Sequence, residues 1–138
     1  MITLDASVVI AHLHPRDPHH QAATAYLRGS AGDGFLIHAL NLAEVLVGGV
    51  RAGREQEMLR DLQAIGIRVA DRIDDEPLRL ARLRVDSGLK LPDCCALDTA
   101  MLTKSTLATF DDTLAKAARV RRLSVAPGPG SQRADPSP

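Results

Sequence analysis

Apolar residues along the chain fall into two patterns. Short bursts at 2–4, 35–38, 67–70, 106–110 and 123–125, bounded by polar, Gly or Pro residues, have the length and punctuation of buried strands. Between them, apolar positions recur at helical spacing over 6–13, 21–28, 41–47, 54–65, 74–87, 91–102 and 111–119. Met58, Leu59, Leu62 and Ile65 form one such stripe, and Leu78, Ala81 and Val85 share one face of the 74–87 segment. Pro15, Gly29, Gly66 and Gly88 stand where helices should stop. Asn41 is a good N-cap for a helix whose apolar density suggests burial, and Pro92 suits a first helical turn.

Short strands alternating with helices predict a parallel sheet covered on both faces by right-handed crossovers. The expected fold is α/β, a three-layer α/β/α domain with a parallel sheet of about five short strands, filling residues 1–126. Residues 127–138 are rich in Pro, Gly and Ser with little to bury, and a disordered tail is expected there.

With one Tyr, two Phe and no Trp, the core must be aliphatic. Seventeen basic residues balance seventeen acidic ones, so overall charge neither requires nor excludes a polyanionic partner. Fourteen of the bases are Arg, the residue suited to bidentate contact with phosphate or carboxylate. No run approaches the ~20 apolar residues of a membrane span. A basic stretch followed by an apolar one, the mark of a secretory signal, is lacking at the N-terminus, so a cytoplasmic location is expected. Cys94 and Cys95 are neighbours, unable to form an ordinary structural bridge with each other or to supply a four-ligand zinc site.

Candidate chemistry lies in the acids Asp5, Glu44, Asp93 and Asp111, the last followed by Asp112. Singly, each has a capping role open to it. Asp5 and Asp111 stand at helix starts, Glu44 lies three residues after Asn41, and Asp93 follows Pro92 where negative charge favours a helix N-terminus. Jointly they point elsewhere. Asp5 and Asp111 follow directly on strands, so both should project from the C-terminal edge of one parallel sheet, where ligands bind in open α/β folds. Helices that start at that edge would bring Glu44 and Asp93 to it. Four converging carboxylates need a divalent cation to neutralise them, and hard oxygen donors without His or Cys fit Mg²⁺ or Mn²⁺. The chemistry such an ion supports is phosphodiester hydrolysis by an activated water.

The stretches LDASVVIAHL, NLAEVLVGG, LPDCCALDTA and TFDDTLAKAA, in this order, resemble the PIN-domain ribonucleases, specifically the VapC toxins of bacterial toxin–antitoxin pairs. The resemblance spans residue 3 to about residue 125. It implies that Asp5, Glu44, Asp93 and Asp111 hold the metal, with Asp112 as an auxiliary, and that RNA is the substrate. It further implies products with 5′-phosphate and 3′-hydroxyl ends, a homodimer, and a cognate VapB-type antitoxin. Asn41 stands where many relatives carry Thr or Ser.

Other polar residues carry plainer readings. Asp98 lies about 140° round a helix from Asp93 and is assigned a surface or supporting role. Cys94 and Cys95 read as small core residues. His12, His14, His19 and His20, in a Pro-broken connection, read as solvated side chains rather than a metal site, with RNA contact open to them if the loop flanks the acids. Ser7 and Thr109 are candidates for hydrogen bonds to the acids. Arg79, Arg82 and Arg84, and Arg119, Arg121 and Arg122, are two basic clusters able to meet phosphates or simply water. Scarce aromatics argue for RNA recognition by backbone, shape and Arg contacts. Two rivals stay open: a phosphoacceptor or phosphatase-like domain, which this chain fits poorly because Ser7 stands two residues after Asp5, and a binding module whose acids only cap helices.

Overall fold

The computed structural model describes residues 1–127. Five strands, β1 (Ile2–Leu4), β2 (Phe35–Ile37), β3 (Ile67–Val69), β4 (Thr106–Ala108) and β5 (Val125–Ala126), form one sheet in the order β3-β2-β1-β4-β5. Every pairing is parallel, with Thr3 opposite both Leu36 and Leu107. Seven α-helices connect them: α1 (Ala6–Leu13), α2 (His20–Gly29), α3 (Ala39–Arg51), α4 (Glu55–Ala64), α5 (Glu76–Ser87), α6 (Leu91–Thr103) and α7 (Asp112–Val120). The expected three-layer α/β/α architecture is the one observed. Of the tail expected at 127–138, only Pro127 belongs to the described residues, and the rest of that expectation lies outside them.

The strands are apolar throughout because both sheet faces are covered. Ile2, Leu4, Phe35 and Ile37 meet α1–α4 through Val8, Val9, Ala23, Leu27, Val45 and Leu62. On the other face Leu107 joins Leu83, Cys94, Leu97, Leu114 and Ala118 of α5–α7. Cys94 and Cys95 are core residues, as their setting in an apolar helix suggested. Edge strand β3 buries only Ile67 and exposes Arg68 and Val69.

Chain order gives the sheet its working geometry. From β1 the chain builds outward to β2 and β3, then returns to place β4 and β5 on β1's other side. The crevice at the carboxyl ends of β1 and β4 is therefore the topological switch point, the position where such sheets bind ligands.

Three expectations are corrected. Asn41 is not an N-cap: α3 begins two residues earlier, and His38 caps it by accepting the Leu40 N–H on Nδ1 at 3.0 Å. That bond leaves the His38 proton on Nε2, which faces Glu76 at the start of α5 at 3.1 Å. Nor is α3 a fully buried helix, since Leu40, Val47 and Val50 are exposed beside buried Asn41, Val45 and Gly49. In α5 the Leu78, Ala81 and Val85 face is the solvent side, with Val85 86 % exposed. Leu80 and Leu83 pack inward instead. Both stripes have helical spacing, and only the partner helix decides between them.

Candidate active site

Asp5 ends β1 and precedes α1, and its backbone N–H continues the ladder to Ala108 at 2.9 Å. Its side chain makes no capping hydrogen bond. Instead Oδ2 accepts two hydroxyls, from Ser7 at 2.8 Å and from Thr109 at 2.9 Å. Each hydroxyl in turn accepts a backbone N–H of the turn after β4: Phe110 on Ser7 at 3.1 Å and Asp111 on Thr109 at 3.0 Å. The turn that carries Asp111 is thus stitched onto Asp5 by two parallel relays. Asp111 does cap α7, but only Oδ1 is used, accepting from Thr113 and Leu114 at 2.9 and 3.1 Å.

The other two acids arrive on helices. Asp93 lies in the first turn of α6, which packs against β1, β4 and α3, and so starts at the same sheet edge. Glu44 is in the second turn of α3. Asn41 joins the two segments: its Nδ2 donates to Glu44 Oε1 at 3.1 Å and to the Pro92 carbonyl at 3.0 Å. Because both partners are acceptors, the amide orientation is fixed, and Asn41 Oδ1 is left buried without a partner.

The electrostatics tie the four acids together. Burial, opposed by its hydroxyl and nearby N–H groups, raises the pKa of Asp5 above the ordinary carboxylate value. Asp93 is pushed up to about 6, first by burial and then by the charges of Asp5, Asp111 and Glu44, against a downward pull from Lys90. Asp5, Asp111 and Glu44 therefore each sit within electrostatic reach of Asp93, and the four acids are graded from buried Asp5 to exposed Glu44. Among the described residues no three His, Cys, Asp or Glu side chains are already closed into a metal-holding group. The donor set is all carboxylate oxygen, which fits a hard divalent cation such as Mg²⁺ or Mn²⁺ and not zinc.

Asp112 opens α7 exposed to solvent, one residue beyond the cluster. Asp98 is not a surface residue: it is buried and takes a forked contact from Arg79, Nε to Oδ1 and Nη2 to Oδ2, each at 3.2 Å. Half of the six Arg residues in the two clusters are committed to structure. Arg79 goes to Asp98, Arg84 to the Gly88 and Leu89 carbonyls, and Arg121 to Asp86 and the Ala117 carbonyl. That leaves Arg82, Arg119 and Arg122, all exposed, as the uncommitted members among the described residues.

Of the four histidines of this connection, His14 and His19 are exposed as expected, while His12 and His20 are partly buried. His12 Nδ1 meets Thr24 Oγ1 at 2.8 Å and His20 Nδ1 meets the Ala11 carbonyl at 2.9 Å. His19 stacks flat on Phe110, with ring centroids 4.2 Å apart and planes within 7°. Sequence reading passed over Asn41 as a bridge and Phe110 as a neighbour of the acids. The available signals were Asn41 lying one helical turn before Glu44 and Phe110 directly preceding Asp111.

Among curated proteins, no sequence matches the chain. Solved structures do. A toxin–antitoxin complex from Klebsiella pneumoniae aligns at TM-score 0.66 and 24% identity, over 80% of this chain and 87% of that one. VapBC2 from Rickettsia felis, bound to a DNA fragment from its promoter, aligns at 0.68 and 17%, over 91% and 98%. FitAcB from Neisseria gonorrhoeae aligns at 0.66 and 19%, over 92% and 97%. At these identities the likeness is one of fold. The PIN domain family model matches residues 2–120, which takes in the whole sheet except β5 and all four acids, and the chain belongs to the PIN domain family.

Proposed function

We propose that this protein is a metal-dependent endoribonuclease, the toxin of a type II toxin–antitoxin pair of the VapC kind. The observation that carries the reading is the hydrogen-bonded convergence of the acidic segments: Ser7 and Thr109 stitch the turn of Asp111 onto Asp5, and Asn41 joins Glu44 to the start of α6 beside Asp93. PIN domains are nucleases, and the likeness in fold to the toxin–antitoxin complex from Klebsiella pneumoniae supports an antitoxin partner.

In this reading Asp5, Glu44, Asp93 and Asp111 hold one or two Mg²⁺ or Mn²⁺ ions, with Asp112 an auxiliary at the rim. A bound ion of this kind supplies charge neutralisation for the phosphodiester and an activated water for in-line attack. The chain's own part is positional. Ser7 and Thr109 lock the Asp5 carboxylate, Asn41 steadies Glu44 against the start of α6, and Asp111 keeps Oδ2 outside its cap. No Ser or Cys nucleophile is required, and the products that the family resemblance implies carry 5′-phosphate and 3′-hydroxyl ends.

The partners belong to the same proposal: single-stranded RNA as substrate, a second copy of the chain in a homodimer, and a VapB-type antitoxin in the cytoplasm. An exposed acidic rim offers that antitoxin a place for a basic side chain. RNA cleavage in Mg²⁺ by wild type and Asp5→Ala tests the reading. Cleavage by wild type, lost in a folded variant and in chelator, is expected. Undiminished cleavage by Asp5→Ala overturns it.

A further inference from the structure

Three rings serve the whole chain as aromatics other than histidine, and one of them, Phe110, stands between Thr109 and Asp111. Its backbone is tied to the acids through Ser7, whose hydroxyl reaches Asp5. One side of Phe110 packs against the core cluster of β1, β2 and α1, while His19 covers it in flat contact at 4.2 Å. His19 is itself exposed. A ring held flat on one face and exposed overall offers its other face to solvent.

The loop behind His19 is fixed. Asp17 Oδ1 accepts the His19 N–H at 2.8 Å, the Asp17 N–H reaches the His14 carbonyl at 2.9 Å, and the His20 N–H reaches the Asp17 carbonyl at 3.0 Å. Holding a surface imidazole in a single stacked orientation costs side-chain entropy, and its flat contact with Phe110 is a modest return for an exposed ring. The arrangement is that of a preformed stacking surface. Nucleobases stack on Phe and His rings with little regard to sequence, because every base has a π-face.

We infer that the His19–Phe110 pair is a nucleobase-binding platform, seating one unpaired base of a single-stranded RNA next to the phosphodiester at the acidic cluster. The platform rests on the nuclease reading and adds to it a substrate requirement: an unstacked base beside the scissile bond. Arg16, three residues before His19 on the same loop, is exposed. The platform adds one stack at the site to the backbone, shape and Arg contacts expected from the scarcity of aromatics.

The test compares binding of two short, fluorescein-labelled phosphorothioate strands that resist hydrolysis, one an oligouridine and the other its abasic counterpart. Wild type, His19→Ala, His19→Trp and Phe110→Leu are titrated with each strand. For the oligouridine, His19→Ala and Phe110→Leu are expected to weaken binding by roughly 5- to 100-fold, the loss of one stacked base. For the abasic strand the loss is expected to be much smaller. His19→Trp, which enlarges the ring, is expected to restore oligouridine binding, and its indole emission should be quenched by the oligouridine alone, since the chain has no other Trp. Equal losses on both strands, or no loss in His19→Ala, overturn the platform while wild-type binding and cleavage leave the nuclease reading standing. Failure of wild type to bind or cleave RNA overturns both.

Discussion

Thr109 joins two of the four acids through one oxygen. Its Oγ1 donates to Asp5 Oδ2 at 2.9 Å, across 104 residues of chain, and accepts the Asp111 N–H at 3.0 Å. A hydroxyl that orients one carboxylate and anchors the segment of another does for a metal site what hydrogen bonds to ligands generally do.

Thr109→Val keeps the shape and removes both bonds. It leaves a buried carboxylate oxygen and a backbone N–H short of a partner, at about 1–3 kcal/mol of stability. Metal affinity or cleavage is expected to fall about 10- to 100-fold. Thr109→Ser should retain most of both. Equal activity of the Val and Ser variants would show that the hydroxyl has no part in the site.

Asp93 links the site to stability. Its folded-state pKa, about 6, lies above the ordinary 3.8, so between these values the folded, metal-free protein holds a proton that the unfolded chain has lost. The stability from that proton is fully present below 3.8 and is lost as pH rises through about 6, with the raised carboxyl of Asp5 acting in the same direction. In chelator, Asp93→Asn is therefore expected to melt higher than wild type at pH 7, with the advantage shrinking at pH 5. Added Mn²⁺ should raise the wild-type melting temperature at pH 7 and leave the variant unmoved. An Asp93→Asn variant less stable than wild type in chelator at pH 7 would contradict the repulsive cluster.

Asp98 gives the opposite phenotype. It is buried and paired with Arg79, which ties α6 to α5 away from the acids. Asp98→Ala leaves Arg79 without its partner, and removing half of such a pair is the damaging change. Thermal melts should show a clear drop, while the surviving folded protein binds Mn²⁺ as wild type does. Loss of Mn²⁺ binding in folded Asp98→Ala would return Asp98 to the site.

The local part of this structure was legible in the sequence. An apolar triplet halted by Asp5, and Asp111 standing between a short strand and a helix, mark strand ends without any tertiary knowledge. Gly88, with φ 76°, stops α5 where a Gly should. What escaped was decided by partners distant in sequence. Leu78 and Val85 make as regular a stripe as Leu80 and Leu83, and only the position of α6 buries the second. His38 is absent from the usual capping residues, so Asn41 took its place in the reading. Arg79 and Arg121 looked free for phosphate until Asp98 and Asp86 arrived from other segments. The His19–Phe110 stack spans 91 positions and carries no local signature.

The central claim is that Asp5, Glu44, Asp93 and Asp111 together make one divalent-cation site. Calorimetric titration of Mn²⁺ into wild type, Asp5→Asn and Asp93→Asn at pH 7.5 tests it most directly. Saturable binding by wild type, abolished in both variants although Asp5 and Asp93 lie 88 positions apart in the chain, is the expected result. Saturable binding that survives in both variants, or none in wild type, contradicts it.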